Sequence, residues 1–156
     1  MYTHSLLIAT SIIFVFIAPI LYFNSLNKKK VRKEVQKLTQ LAQRNSLNLD
    51  FSESLPNLLL GLDVTSQKFL VIELAREGQE RIFEIGDLSS CEVDIDRRKA
   101  AGGINLVSLK LIPKVKGGPA SEIVFYNEDL EVFPDAERRL QAAEKWKKIL
   151  QANIDK

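Results

Sequence analysis

Leu6–Phe23, LLIATSIIFVFIAPILYF, runs eighteen residues without a charged side chain. As a helix it reaches about 27 Å, close to the ~30 Å hydrocarbon core of a bilayer. A signal peptide would place Lys or Arg before the run and a small-x-small site after it, and this chain does neither. A buried core helix would show a polar face, and none is present. The segment therefore reads as an uncleaved membrane helix over residues 1–24. Pro19 lies near its end, where a membrane helix tolerates it, and Tyr22 and Phe23 fall at the interface. Lys28, Lys29, Lys30, Arg32 and Lys33 follow at once. Such a cationic flank is retained in the cytoplasm. The expected arrangement is a single-pass protein of the cell (inner) membrane, N-terminus outside and C-terminal domain cytoplasmic.

The formal net charge of +2 conceals this layout. Residues 24–45 hold seven Lys/Arg against one acid, a net +6, whereas residues 46–156 hold fifteen against nineteen, a net −4. That balance excludes a strongly basic nucleic-acid binder. One Cys, Cys91, permits no internal disulfide. With His4 as the one histidine, no His/Cys metal cluster can form and histidine-dependent nucleophilic catalysis has no base near a domain. No cofactor is expected.

Residues 25–50 read as a basic juxtamembrane helix and linker. Val31, Val35, Leu38 and Ala42 recur at helical spacing and form one stripe. Three uses of this helix are open. It can pack on its own domain, it can meet anionic headgroups at about 1 kcal/mol per basic residue, or it can form a weak homo-oligomeric coiled coil.

From residue 51 the period becomes strand-like. Strands are expected over 58–63, 68–74, 81–85, 89–97, 104–112 and 120–127, with turns between them. Residues 51–57 read as an extended lead-in, because Pro56 forbids a central strand there. Cys91, Val93 and Ile95 alternate with Glu92, Asp94 and Asp96, the mark of a strand with one dry and one wet face. Asp135 is placed to cap a helix running to about Ala152, whose stripe is Ala136, Leu140, Ala143, Trp146, Leu150 and Ile154. Lys145, Lys147 and Lys148 are expected near its C-terminal end, where they would favour the helix dipole. The fold class is α+β: an N-terminal transmembrane helix, then an antiparallel curled sheet or partly open barrel capped by a C-terminal helix.

Three pieces carry a resemblance: GLDVTSQKFLVIEL, a hairpin with an acid entering the turn; RIFEIGDLSSCEVDI, a strand, a corner and an alternating strand; and the closing helix ending AEKWKKIL. Residues 58–153 resemble a bacterial pleckstrin-homology-like domain. A seventh strand is then to be sought around Leu130–Phe133 or before Leu58. The resemblance implies a non-enzymatic scaffold for proteins, peptides or lipids and brings no site with it.

The expected function is thus a membrane-anchored cytoplasmic interaction module with a protein partner, with no nucleic acid. Its alternative is an anionic-lipid sensor. The membrane-surface residues would be Lys28, Lys29, Lys30, Arg32 and Lys33. Arg97, Arg98, Lys99, Lys114 and Lys116, beside glycine pairs, are candidate anion-binding loops. The row Glu92, Asp94, Asp96 reads as a solvated face, and the sole tryptophan, Trp146, as a packing anchor.

Overall fold

The computed structural model describes residues 35–74, 79–98, 102–115, 117–130 and 135–155. The expected membrane helix and the cationic flank at 28–33 lie outside the described residues. Among the described residues no helix is long and apolar enough to cross a membrane.

Helix α1 covers residues 35–44. Seven strands follow among the described residues: β1 (Phe51–Leu55), β2 (Leu58–Asp63), β3 (Lys68–Glu73), β4 (Gln79–Glu84), β5 (Leu88–Arg97), β6 (Ile104–Pro113) and β7 (Ser121–Asn127). Helix α2 (Ala136–Ile154) closes the chain. The class is α+β, but the expected single curled sheet is two antiparallel sheets, ordered β1-β2-β3-β4 and β5-β6-β7. A single 3-10 turn, Ile85–Asp87, divides them. Its fully buried Ile85 pins the corner, and the chain leaves it in a new direction.

The seventh strand is β1, before Leu58. Pro56 does not oppose it, because Pro56 and Asn57 form the two-residue turn between β1 and β2. The proline therefore withholds no ladder donor.

Strand β2 is buried along its whole length. Leu58, Leu60 and Leu62 join Phe69 and Val71 in the core shared by both sheets and α2. Leu59, Leu70 and Ile72 point the other way, onto Leu38, Leu41 and Ala42 of α1. The buried stripe of α1 thus differs from the expected one: Val35 is 43% exposed and Leu41 takes its part. A helix lying on a sheet needs a wide i, i+3, i+4 contact rather than a narrow seam. Gly61 permits the close approach, since a Cβ there would stand 2.9 Å from Leu49 Cδ1.

The segment after α1 is tied down by polar contacts. Asp63 accepts the Ser66 and Asn48 backbone N–H groups at 2.8 and 2.7 Å. Those bonds, Ser66 foremost, hold its carboxyl below the usual range. Asp50 accepts the Val64 N–H at 2.8 Å.

Helix α2 bridges the two sheets. Its buried face comprises Arg139, Ala142, Ala143, Trp146, Leu150 and Asn153. Asp135 occupies the N-cap position without a capping bond from its side chain. The helix runs to Ile154, past the expected end, so its last turn holds no basic residue and the expected dipole pairing is absent. On the opposite flank Arg81 of β4 donates to the Glu122 carbonyl of β7 at 3.0 Å and pairs with the buried Glu73. That arginine links the second pair of sheet edges.

The C-terminus of α1 is a Schellman motif: Leu47 N–H bonds Ala42 O at 2.8 Å and Ser46 N–H bonds Gln43 O at 3.1 Å. Ser46 has φ +55°, which strains a residue with a Cβ. Ser46→Gly relieves the strain and loosens the unfolded chain, a net gain of about 0.5 kcal/mol. Denaturant titration followed by Trp146 fluorescence should show the midpoint rise.

Candidate functional site

The candidate anion-binding loops do not converge. Arg97 and Arg98 lie at the β5–β6 hairpin, and Lys114 follows the far end of β6. Ten residues of β6 separate them, roughly 30 Å. Arg98 is already paired with Glu128 at 2.7 Å. Lys99 and Lys116 lie outside the described residues, as do Lys28, Lys29, Lys30, Arg32 and Lys33. No single phosphate group could touch Arg97 and Lys114 together.

The acidic row of β5 is an exposed face knitted to β6. Lys110 Nζ meets Asp94 Oδ2 at 2.5 Å, and Asn105 Nδ2 donates to Asp96 Oδ2 at 3.0 Å. The hydrogen bond and charge of Lys110 hold the Asp94 carboxyl below its usual range, and Asp94 raises Lys110 in return. No group of three or more His, Cys, Asp or Glu among the described residues is placed to hold a metal.

Cys91 is buried against α2, with its Sγ 3.4 Å from the Lys147 carbonyl. Burial pushes the thiol up to about 11. At pH 8 almost none is thiolate, and the thiolate is the reactive form. A thiol reagent should therefore label Cys91 in the folded chain at the unfolding rate, and labelling at the rate of a free thiol would refute this placement.

Trp146 is 1% exposed and its ring centre lies 5.4 Å from that of Phe69. Its indole N–H donates to Glu53 Oε2 at 2.7 Å, and Lys145 Nζ reaches the same oxygen at 3.0 Å. The tryptophan thus fastens edge strand β1 to α2. Seven residues earlier on α2, buried Arg139 donates to Asn57 Oδ1 at 2.9 Å. Glu53→Ala leaves the indole N–H without this acceptor and should cost about 1–3 kcal/mol. A fall in the denaturant midpoint with unchanged slope is the check.

One concavity unites chemistry from separate elements. Lys37, Gln40, Leu41 and Arg44 form one flank of α1 at i, i+3, i+4 and i+7. Ile72 and Leu74, at the end of β3, and Glu80 of β4 complete a groove of about 250 Å³. Leu41 and Ile72 are almost fully buried, so the groove's exposed lining is mainly the polar groups of Lys37, Gln40, Arg44 and the opposing Glu80. Lys37 and Arg44 stand about 10 Å apart along the helix axis. Neither forms an ion pair with any described residue. The volume falls below the roughly 300–1,000 Å³ of small-molecule sites and suits a protruding side chain. Sequence reading missed this site. The signal was present in the spacing of Lys37, Leu41 and Arg44, but the strand wall opposite was not legible.

No protein-family model, no curated protein and no solved structure matches the chain.

Proposed function

We propose that the chain is a membrane-anchored, non-enzymatic interaction module of pleckstrin-homology-like fold. Residues 6–23 span the inner membrane, the five basic residues at 28–33 lie at its cytoplasmic surface, and the domain recruits protein through the α1–β4 groove. The order of elements supports the fold reading: four strands, then three, then a helix lying across both sheets. The groove carries the functional reading. It gathers two cations and one acid, Lys37, Arg44 and Glu80, around the partly exposed Leu74 on the protein surface, which is the chemistry of a polar protein contact.

Lipid binding by the domain itself is the weaker reading, because the basic loops stand at opposite ends of β6. Catalysis is weaker still. The exposed carboxylates of β5 are engaged with Lys110 and Asn105, and the Cys91 thiol is buried.

The test uses the full chain in its own membranes. A photoreactive side chain at Gln40, inside the groove, should yield protein adducts on illumination. The same group at Glu92, on the exposed face of β5, should yield few. Equal yields at both positions, or none at Gln40, would overturn the proposal.

A further inference from the structure

Helix α1 and strand β4 carry two exposed rows on one face of the molecule. Leu38 and Ala42 are spent on the sheet beneath α1, so the seam that a coiled coil would use is closed. Lys37, Gln40 and Arg44 stay exposed on the flank that looks toward β4. On β4 the register sets Glu80, Ile82 and Glu84 opposite Ile72, Leu70 and Lys68. Leu70 and Ile72 pack against α1, so these three residues lie on the α1 side of the sheet. All three are exposed, Ile82 by 38%. The Glu84 side chain remains 54% exposed although Lys68 lies 3.5 Å away. One row is therefore cationic, and the other is acidic with an isoleucine at its centre. Lys37 and Arg44 stand about 10 Å apart along the helix. Glu80 and Glu84 stand about 13 Å apart along the strand.

Within one copy the rows lie side by side. Helix α1 covers β2 and β3, and Ile82 stays bare beside it. A face with separate rows of opposite sign is complementary to itself. A two-fold axis parallel to α1 turns this face onto its copy and exchanges the rows, the most common symmetry of soluble oligomers. We infer that the protein forms a two-fold dimer in which α1 of each copy lies over β4 of the other. Lys37 and Arg44 of one copy meet Glu80 and Glu84 of the second, and the methylene stems of Lys37 and Gln40 cover Ile82. This rests on the reading of the groove as a protein-binding site and names its partner. Residues 46–156 carry a net −4 and repel their own kind in bulk. On this face the two cations of α1 balance the two acids of β4, so the repulsion is lifted here. The same axis points both α1 helices in one direction, as two chains anchored in one membrane require. Sharing that membrane raises the local concentration and lets a polar contact suffice.

The experiment co-expresses two full-length copies carrying different tags, one with the photoreactive side chain at Gln40. Illuminated membranes should yield an adduct carrying both tags, with the cross-link mapped to residues 79–84 of the second copy. Lys37→Glu with Arg44→Glu in both copies should cut that adduct about fivefold or more, since each pair becomes a repulsion. Glu80→Lys with Glu84→Lys in both copies should do the same. One copy of each kind should restore the adduct, because both halves of the two-fold contact then pair opposite charges again. A misfolded face would not allow that rescue. Yield untouched by either reversal, failure of the mixed pair to recover, or a cross-link mapping elsewhere on the second copy would overturn the inference. Adducts with other proteins alone would also overturn it, while leaving the groove's assignment as a protein-binding site standing. Absence of any protein adduct would remove both.

Discussion

Strands β2 and β3 are buried on both faces, and most of the architecture depends on that. A sheet with one dry face can stand over a core with its other face in water. This sheet cannot, because Leu59, Leu70 and Ile72 would then lie bare. Helix α1 is therefore an obligatory layer of the fold rather than a tether leading to it. Gly61, the Schellman turn at Ser46 and the Asp63 and Asp50 bonds all serve the return of the chain from that helix into β1. The groove follows from the same packing. A single helix covers β2 and β3 but stops short of the edge strand β4, where Ile82 remains 38% exposed. The space between helix flank and strand edge is the groove.

Two sheets meeting at a corner leave two open seams, and the chain closes them differently. Along the β1–β5 seam α2 inserts a large apolar face and adds polar fasteners at each margin. Glu53 and Asn57 bind it from the β1 hairpin, and the Cys91 N–H donates to Gln151 from β5. Along the β4–β7 seam Arg81 spans the gap. Its guanidinium lies over Phe83 at 5.4 Å and is held by Glu73 and the Glu122 carbonyl. Breaking a buried pair like Glu73–Arg81 strands a charge, so this seam depends on polar geometry where the other depends on area.

The legible parts of the fold were those with a clean period. The alternation of Cys91, Val93 and Ile95 set β5, and the stripe through Ala143, Trp146 and Leu150 set α2. What escaped had a local reason in each case. Pro56 masked β1, since a turn proline and a strand-breaking proline look alike in sequence. The run LLLGLD has no alternation because both its faces are dry, and that lack marked a strand without revealing what lay on its second side. Nothing in the sequence marks Arg139 or Glu53, and only the packing of α2 on the β1 hairpin buries the first and half-buries the second. The basic loops clustered by composition, yet sequence distance gave no warning that β6 holds Arg97 and Lys114 apart. The groove required both α1 and β4, forty residues apart in the chain.

Charge placement decides what the groove can face. If the expected helix continues from Phe23, Lys37 lies fourteen residues beyond the span, about 21 Å along the axis. Physiological salt screens charges over about 8 Å. Headgroups at the bilayer surface would then feel Lys28 and Lys29 most, Lys33 at about 15 Å weakly, and Lys37 and Arg44 hardly at all. The two helix cations would not extend the basic flank in function, although they extend it in sequence. Their field is local to the flank of α1. The body around them carries the net −4 of residues 46–156, which repels acidic partners at long range. Glu80 on the opposite wall offsets part of the Lys37 and Arg44 charge, so the groove is a local break in that field rather than a cationic pocket.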